Sequence, residues 1–148
     1  MDKKNGLFLK RTARLVAIQF MYQIEITGKR QYLDEEVNDF INAFVDDKID
    51  KKFLRKMIAN LQNNVDFDKI INNVLKDGKD IMNASQVEVS IIKTALTEIM
   101  FEKTDIPIII NEYIEISKDF VDTKSTKFIN ALLDKVSTQI ERKCQKKV

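Results

Sequence analysis

Apolar residues recur at steps of three and four along most of this chain, the period of a helix face. Ala13, Ala17, Phe20 and Ile24 form one stripe in a segment from about Lys10 to Thr27, and Gly28 supplies a residue suited to the left-handed turn that ends a helix. Leu33, Val37, Phe40, Ile41 and Phe44 form a second stripe. Asp50 predicts the cap of a third helix, with Phe53, Leu54, Met57, Ile58 and Leu61 inward. Asp66 predicts the cap of a short fourth, carrying Ile70, Ile71, Val74 and Leu75 and ending near Gly78. Ser85-Gln86-Val87-Glu88 is a capping box, in which Ser and Glu satisfy each other's backbone N–H groups. The fifth helix behind it buries Val87, Ile91, Ile92, Ala95, Leu96 and Ile99. Asp105-Ile106-Pro107 breaks the chain, because proline disfavours helix just before it and suits a first turn. A sixth helix runs roughly to Phe120, with Ile110, Ile114 and Ser117 on one side. Ser125 predicts the cap of a seventh, with Phe128, Ile129, Leu132, Val136 and Ile140 inward. The Ile106–Ile110 run is β-branched, but a lone strand has nothing to pair with, so it is read as helix. The expected fold class is all-α, about seven helices in one domain over 1–148. Its halves cover about 10–78 and about 84–142, meeting in the Gly78–Ala84 segment.

Composition narrows the chemistry. Three glycines and one proline are too few for a many-turned β-sandwich or barrel. Cys144 is the only cysteine, so no internal disulfide forms and a reducing, cytoplasmic setting is expected. No apolar run reaches a membrane span, and Lys10, Arg11 and Arg14 interrupt any signal-peptide core. Histidine is absent, which removes the commonest general base and the histidine-containing zinc sites. Gly6, Gly28 and Gly78 stand apart, so no phosphate-cradling loop exists. The carboxylate pairs Glu35/Glu36 and Asp46/Asp47 lie in polar runs and read as solvated faces. No enzyme, cofactor or metal site is expected.

Net charge is +2 and unevenly placed. Lys3, Lys4, Lys10, Arg11 and Arg14 crowd the start, and Arg142, Lys143, Lys146 and Lys147 the end. Segregated charge on a nearly neutral chain points to a local anionic partner, although the C-terminal cluster reads as a solvated tail. Lys10, Arg11 and Arg14 fall within about one turn, Lys10 and Arg14 on one face, at the expected start of the first helix. Cations there oppose the helix dipole, which makes sense if phosphates arrive. A solvated basic turn explains the same residues as well. Read as a phosphate ligand, Arg14 should be replaceable by Ala with thermal stability nearly unchanged. Arg11, Ile18 and Tyr22 form a stripe apart from the core stripe, where a tyrosine serves either as half-buried core or as a partner contact. Lys124-Ser125-Thr126-Lys127-Phe128 opens the last helix, an anion site by geometry. Phe120 and Phe128 beside it are ordinary core or stacking surfaces for unpaired bases.

The same residues carry a resemblance. Lys10-Arg11-Thr12-Ala13-Arg14 with Ala17, Gln19 and Tyr22 resembles the opening arginine-rich motif of the NusB family of bacterial transcription antitermination factors. Val87-Glu88 before an Ile/Leu-rich helix, Ile106-Pro107 before Ile110-Asn111-Glu112, and Ser125 through Asp134 are similar to later family segments, in order along nearly the whole chain. This chain departs from the pattern in places. Lys10 stands for arginine, Leu15 and Lys124 for acidic residues, and Ala131 for glycine, and the Pro107 to Asn111 link is short.

The resemblance implies two small packed helical bundles that bind boxA-type single-stranded RNA together with NusE, a ribosomal small-subunit protein. Other Nus factors and RNA polymerase follow indirectly, and the outcome is readthrough of terminators in ribosomal RNA operons. RNA contacts would be Lys10, Arg11, Arg14, Lys124 and Lys127, with Phe120 and Phe128 against bases. Tyr22, Glu88 and Lys93 would face the protein partner, Glu88 keeping its capping role alongside. Monomer and homodimer both stay open. Two alternatives remain. One is a helical protein adaptor without RNA binding. The other is a detached accessory module of a ribosomal RNA methyltransferase, whose catalytic domain is not in this sequence.

Overall fold

The computed structural model describes residues 3–44, 48–63, 65–75 and 84–140. Gly78, the Asp46/Asp47 pair, Cys144 and the C-terminal basic cluster lie outside them. Seven helices and no strand occur among the described residues: α1 (Lys3–Thr27), α2 (Asp34–Asn42), α3 (Lys51–Leu61), α4 (Phe67–Val74), α5 (Gln86–Phe101), α6 (Ile106–Ser117) and α7 (Thr123–Ser137). The all-α expectation holds, and the β-branched Ile106–Ile110 run is helical, with Pro107 in its first turn. Among the described residues no helix is long and apolar enough to cross a membrane.

The chain divides into two compact units, Met1–Asn63 and Asn64–Val148. The division falls before α4, not after it as the halves drawn from sequence had it. The reason is packing: α4 buries Phe67 and Ile71 and lies against α7, and Asp68 on its outer side pairs with Lys93 of α5. A stripe read from sequence shows that a helix has an inner face but not which neighbour covers it.

In the first unit α1 packs on α3. Ala13, Val16, Ala17, Phe20, Met21 and Ile24 meet a core that includes Phe53, Leu54, Met57, Ile58 and Leu61. Phe20 sits 5.0 Å from Tyr32 and 5.1 Å from Phe40, ring centre to ring centre, and Phe40 continues the cluster to Phe44 at 5.2 Å. Such tilted and edge contacts suit the charge distribution of aromatic rings. Gly28, at φ +76°, closes α1, its N–H donating to the Ile24 carbonyl at 2.8 Å. Leu33, expected inward, is instead largely exposed at the start of α2, where its N–H donates to Glu36 Oε1 at 2.9 Å. Asp50 caps α3 as expected, accepting from the Phe53 N–H at 3.0 Å, and the Asp50 N–H donates to the Leu9 carbonyl at 3.2 Å.

In the second unit α5 is buried along Val89–Met100, polar residues included. A helix buried on all sides must satisfy its hydroxyls internally. Ser90, Thr94 and Thr97 do so by donating to the carbonyls of Gln86, Ser90 and Lys93 at 2.7, 2.7 and 2.8 Å. Glu98, fully buried, accepts from the Tyr113 hydroxyl of α6 at 2.8 Å. The Ser85/Glu88 capping box forms, at 3.1 and 3.3 Å. The cap of α7, however, is Asp122 rather than Ser125. Ser125 is the donor, its N–H 2.8 Å from Asp122 Oδ1.

Candidate nucleic-acid interface

The basic turn lies within α1, not at its start. The helix begins at Lys3, two turns before Lys10. Dipole effects fade within the first turn, so the dipole argument from sequence does not apply here. The polar run through Gly6 carries no helical stripe of its own, which is why the sequence placed the start too late.

The three cations have different surroundings. Arg11 is exposed, Lys10 half-buried, and Arg14 only 2 % exposed. The Lys10 Nζ lies 5.3 Å and the Arg14 guanidinium carbon 5.4 Å from the centre of the same Phe53 ring. Both are within cation–π range. Burial of Arg14 sets aside the expectation that its truncation costs little stability, because its stem and head are part of the packing. Further along α1, Tyr22 is 42 % exposed and Ile26 more so.

In the second unit Lys124, Lys127 and Phe128 share one side of the first two turns of α7, at spacings of three and four. Both lysines are exposed and Phe128 is half-buried. Phe120, in the turn before α7, is 55 % exposed. Phe128 also lines a groove with Val74 and Leu75 of the α4 end, Ala131 and Lys135 of α7, and Thr138 just past its end. The helix N-terminus is not an open anion site: the Asp122 carboxylate already occupies it. The Ser125 N–H, first, and the Ser125 side chain hold that carboxyl below its ordinary pKa, with Lys124 adding a smaller pull. The anion-attracting feature here is therefore the lysine pair. An Asp three residues before Ser125 was the sequence signal for this cap.

Glu88 is half-buried, its carboxylate engaged in the capping box. Lys93, expected to face a protein partner, is instead 5 % exposed, with its Nζ 3.1 Å from Asp68 Oδ1. Its position in the middle of the all-buried α5 explains the difference. No group of three or more His, Cys, Asp or Glu that could hold a metal occurs among the described residues. Both surfaces offer positive charge, held over a buried ring in the first unit and near the exposed ring of Phe120 in the second, and positive charge with an exposed ring is the combination that holds phosphates and unpaired bases. Phe53, whose place in the apolar stripe of α3 marks it as core, also lends its ring to the two cations, a contact that no local pattern in the sequence announces.

Comparison with known proteins gives the context. Residues 11–138 match the model of the NusB family. The transcription antitermination protein NusB of Desulfitobacterium hafniense is 31 % identical over 140 residues, covering 93 % of each chain. That of Campylobacter lari is 35 % identical over 114 residues, covering 74 % of this chain and 86 % of its own. Among solved structures, NusB of T. maritima superposes with a TM-score of 0.70 at 27 % identity, covering 88 % of this chain and 91 % of its own.

Proposed function

The chain belongs to the NusB family of transcription antitermination factors, a non-enzymatic family, and from that premise we propose that it binds boxA-type single-stranded RNA together with NusE. The complex then joins other Nus factors on RNA polymerase and carries it through terminators in ribosomal RNA operons. The observation that carries this reading is the family match, which takes in every candidate site residue except Lys10.

Exposure separates the roles of these residues. Lys10 and Arg11 in the first unit, and Lys124 and Lys127 in the second, hold phosphates. Arg14 contributes its charge from beneath the surface of α1. Phe120 stacks on a base with its exposed ring, and Phe128 presents the edge of the groove beside it. Tyr22 meets the protein partner, with Glu88 near that face only to the extent its capping role leaves it open. Lys93 is left out of the partner face because of its pairing with Asp68.

The test is fluorescence anisotropy of a labelled boxA RNA, with and without NusE, against a scrambled RNA. Selective binding that tightens with NusE is the expected result. Equal, weak binding to both RNAs would leave a helical protein adaptor as the better description.

A further inference from the structure

Two like charges one turn apart on a helix repel each other, and long cationic side chains lose rotamer freedom when they are held. Lys10 and Arg14 are nevertheless both held, over one ring. That ring belongs to Phe53, itself 6 % exposed. Its backbone is linked to α1 through Asp50. Its N–H donates to Asp50 Oδ1 at 3.0 Å, and the Asp50 N–H in turn donates to the Leu9 carbonyl at 3.2 Å, the residue before Lys10. The start of α3, which carries the ring, is thus tied to α1 at the point where the basic turn begins. The electron-rich face of an aromatic ring attracts cations, which offsets the Lys10–Arg14 repulsion. The pair is asymmetric: Arg14 is almost covered, while Lys10 is half-exposed and able to reach an incoming anion.

We infer that Phe53 is a positioning residue for Lys10: its ring, with Arg14 as the inner cation, holds the lysine head group in place to meet the phosphate backbone of single-stranded RNA. The inference rests on the RNA-binding reading above. Preorganisation is what the ring contributes, since a cation already in place loses less freedom on binding. Phe53 itself need never touch RNA.

The test uses the full chain with phenylalanines carrying one, two or three ring fluorines at position 53, which drain the ring's negative face while nearly keeping its shape, together with Phe53→Leu. Affinity for the labelled RNA should fall stepwise with fluorination, reaching about fivefold weaker at Phe53→Leu. The salt dependence should stay as in the unsubstituted protein, because Lys10 still reaches its phosphate. In a Lys10→Ala background the fluorine trend should vanish. An affinity indifferent to fluorination, or a trend that persists without Lys10, would overturn the inference while leaving the RNA-binding reading intact. If the unsubstituted protein shows no selective RNA binding, that reading falls on its own, and the ring's hold is then decided in the unbound protein by NMR. Lys10 side-chain methylene protons shifted upfield by the ring, and returning to ordinary positions in Phe53→Leu, support the ring's hold on Lys10, while the role assigned to that hold in RNA binding is overturned with the reading. Ordinary positions throughout overturn the hold itself.

Discussion

Arg11 faces solvent from α1, whereas Arg14, three residues on, is 2 % exposed with its guanidinium over Phe53. The sequence shows both as arginines of one basic turn, and charge alone does not separate them. Burial does. Arg11→Ala should change stability by less than about 0.5 kcal/mol, the usual range for surface substitutions, while weakening RNA binding. Arg14→Ala removes a packed stem and a cation–π contact together, and should cost about 1–3 kcal/mol of folding stability. Urea unfolding of the two variants side by side checks this. Equal, small losses would mean that Arg14 is held no more firmly than its exposed neighbour.

At the scale of elements, the turn chemistry was legible and the neighbours were not. Asp50, Asp66 and Ser85 cap the helices that the sequence assigned to them, because a cap is a local contact over three residues. Asp50→Ala should therefore cost about 1 kcal/mol, read from the urea midpoint at unchanged slope. Asp122 and Ser125 are both good caps by residue type, and only the backbone path decides which of the two stands first. The carboxylate cap also makes a pH prediction. The Ser125 N–H lowers the Asp122 pKa in the folded chain, so the folded state binds this proton less readily than the unfolded one. The stabilisation is fully present above the ordinary carboxylate range and is lost as pH falls through the lowered folded value. Asn caps as well but does not titrate. The gap in melting temperature between the protein and Asp122→Asn should accordingly narrow on acidification from neutral pH. A gap that stays constant would mean that the carboxylate charge adds nothing at this helix end. The buried contacts of α5 were beyond sequence reading for a different reason. The Glu98–Tyr113 and Lys93–Asp68 pairings join residues on separate helices, 15 and 25 positions apart, and no local pattern announces them.

For the whole molecule, the candidate phosphate contacts fall in both units: Lys10 and Arg11 before residue 63, Lys124 and Lys127 after it. The residues were legible as charges, and the fold class as a succession of stripes, but the sequence could not show whether one RNA strand engages both units. Salt dependence can. Each phosphate neutralised on a single strand releases condensed counterions, so four contacts predict a slope of log affinity against log salt of about −3, with each contact contributing about 0.7. Lys10→Ala, Arg11→Ala, Lys124→Ala and Lys127→Ala should each make that slope shallower by about 0.7 if the same strand crosses both surfaces. A substitution that weakens binding without moving the slope identifies a residue acting through shape or packing instead. Slopes that respond only to residues of one unit would confine the RNA to that unit and leave the other for a protein partner. A flat response in the unsubstituted protein would remove the electrostatic mechanism altogether, because no arrangement of exposed lysine and arginine can hold a phosphate backbone without displacing its counterions.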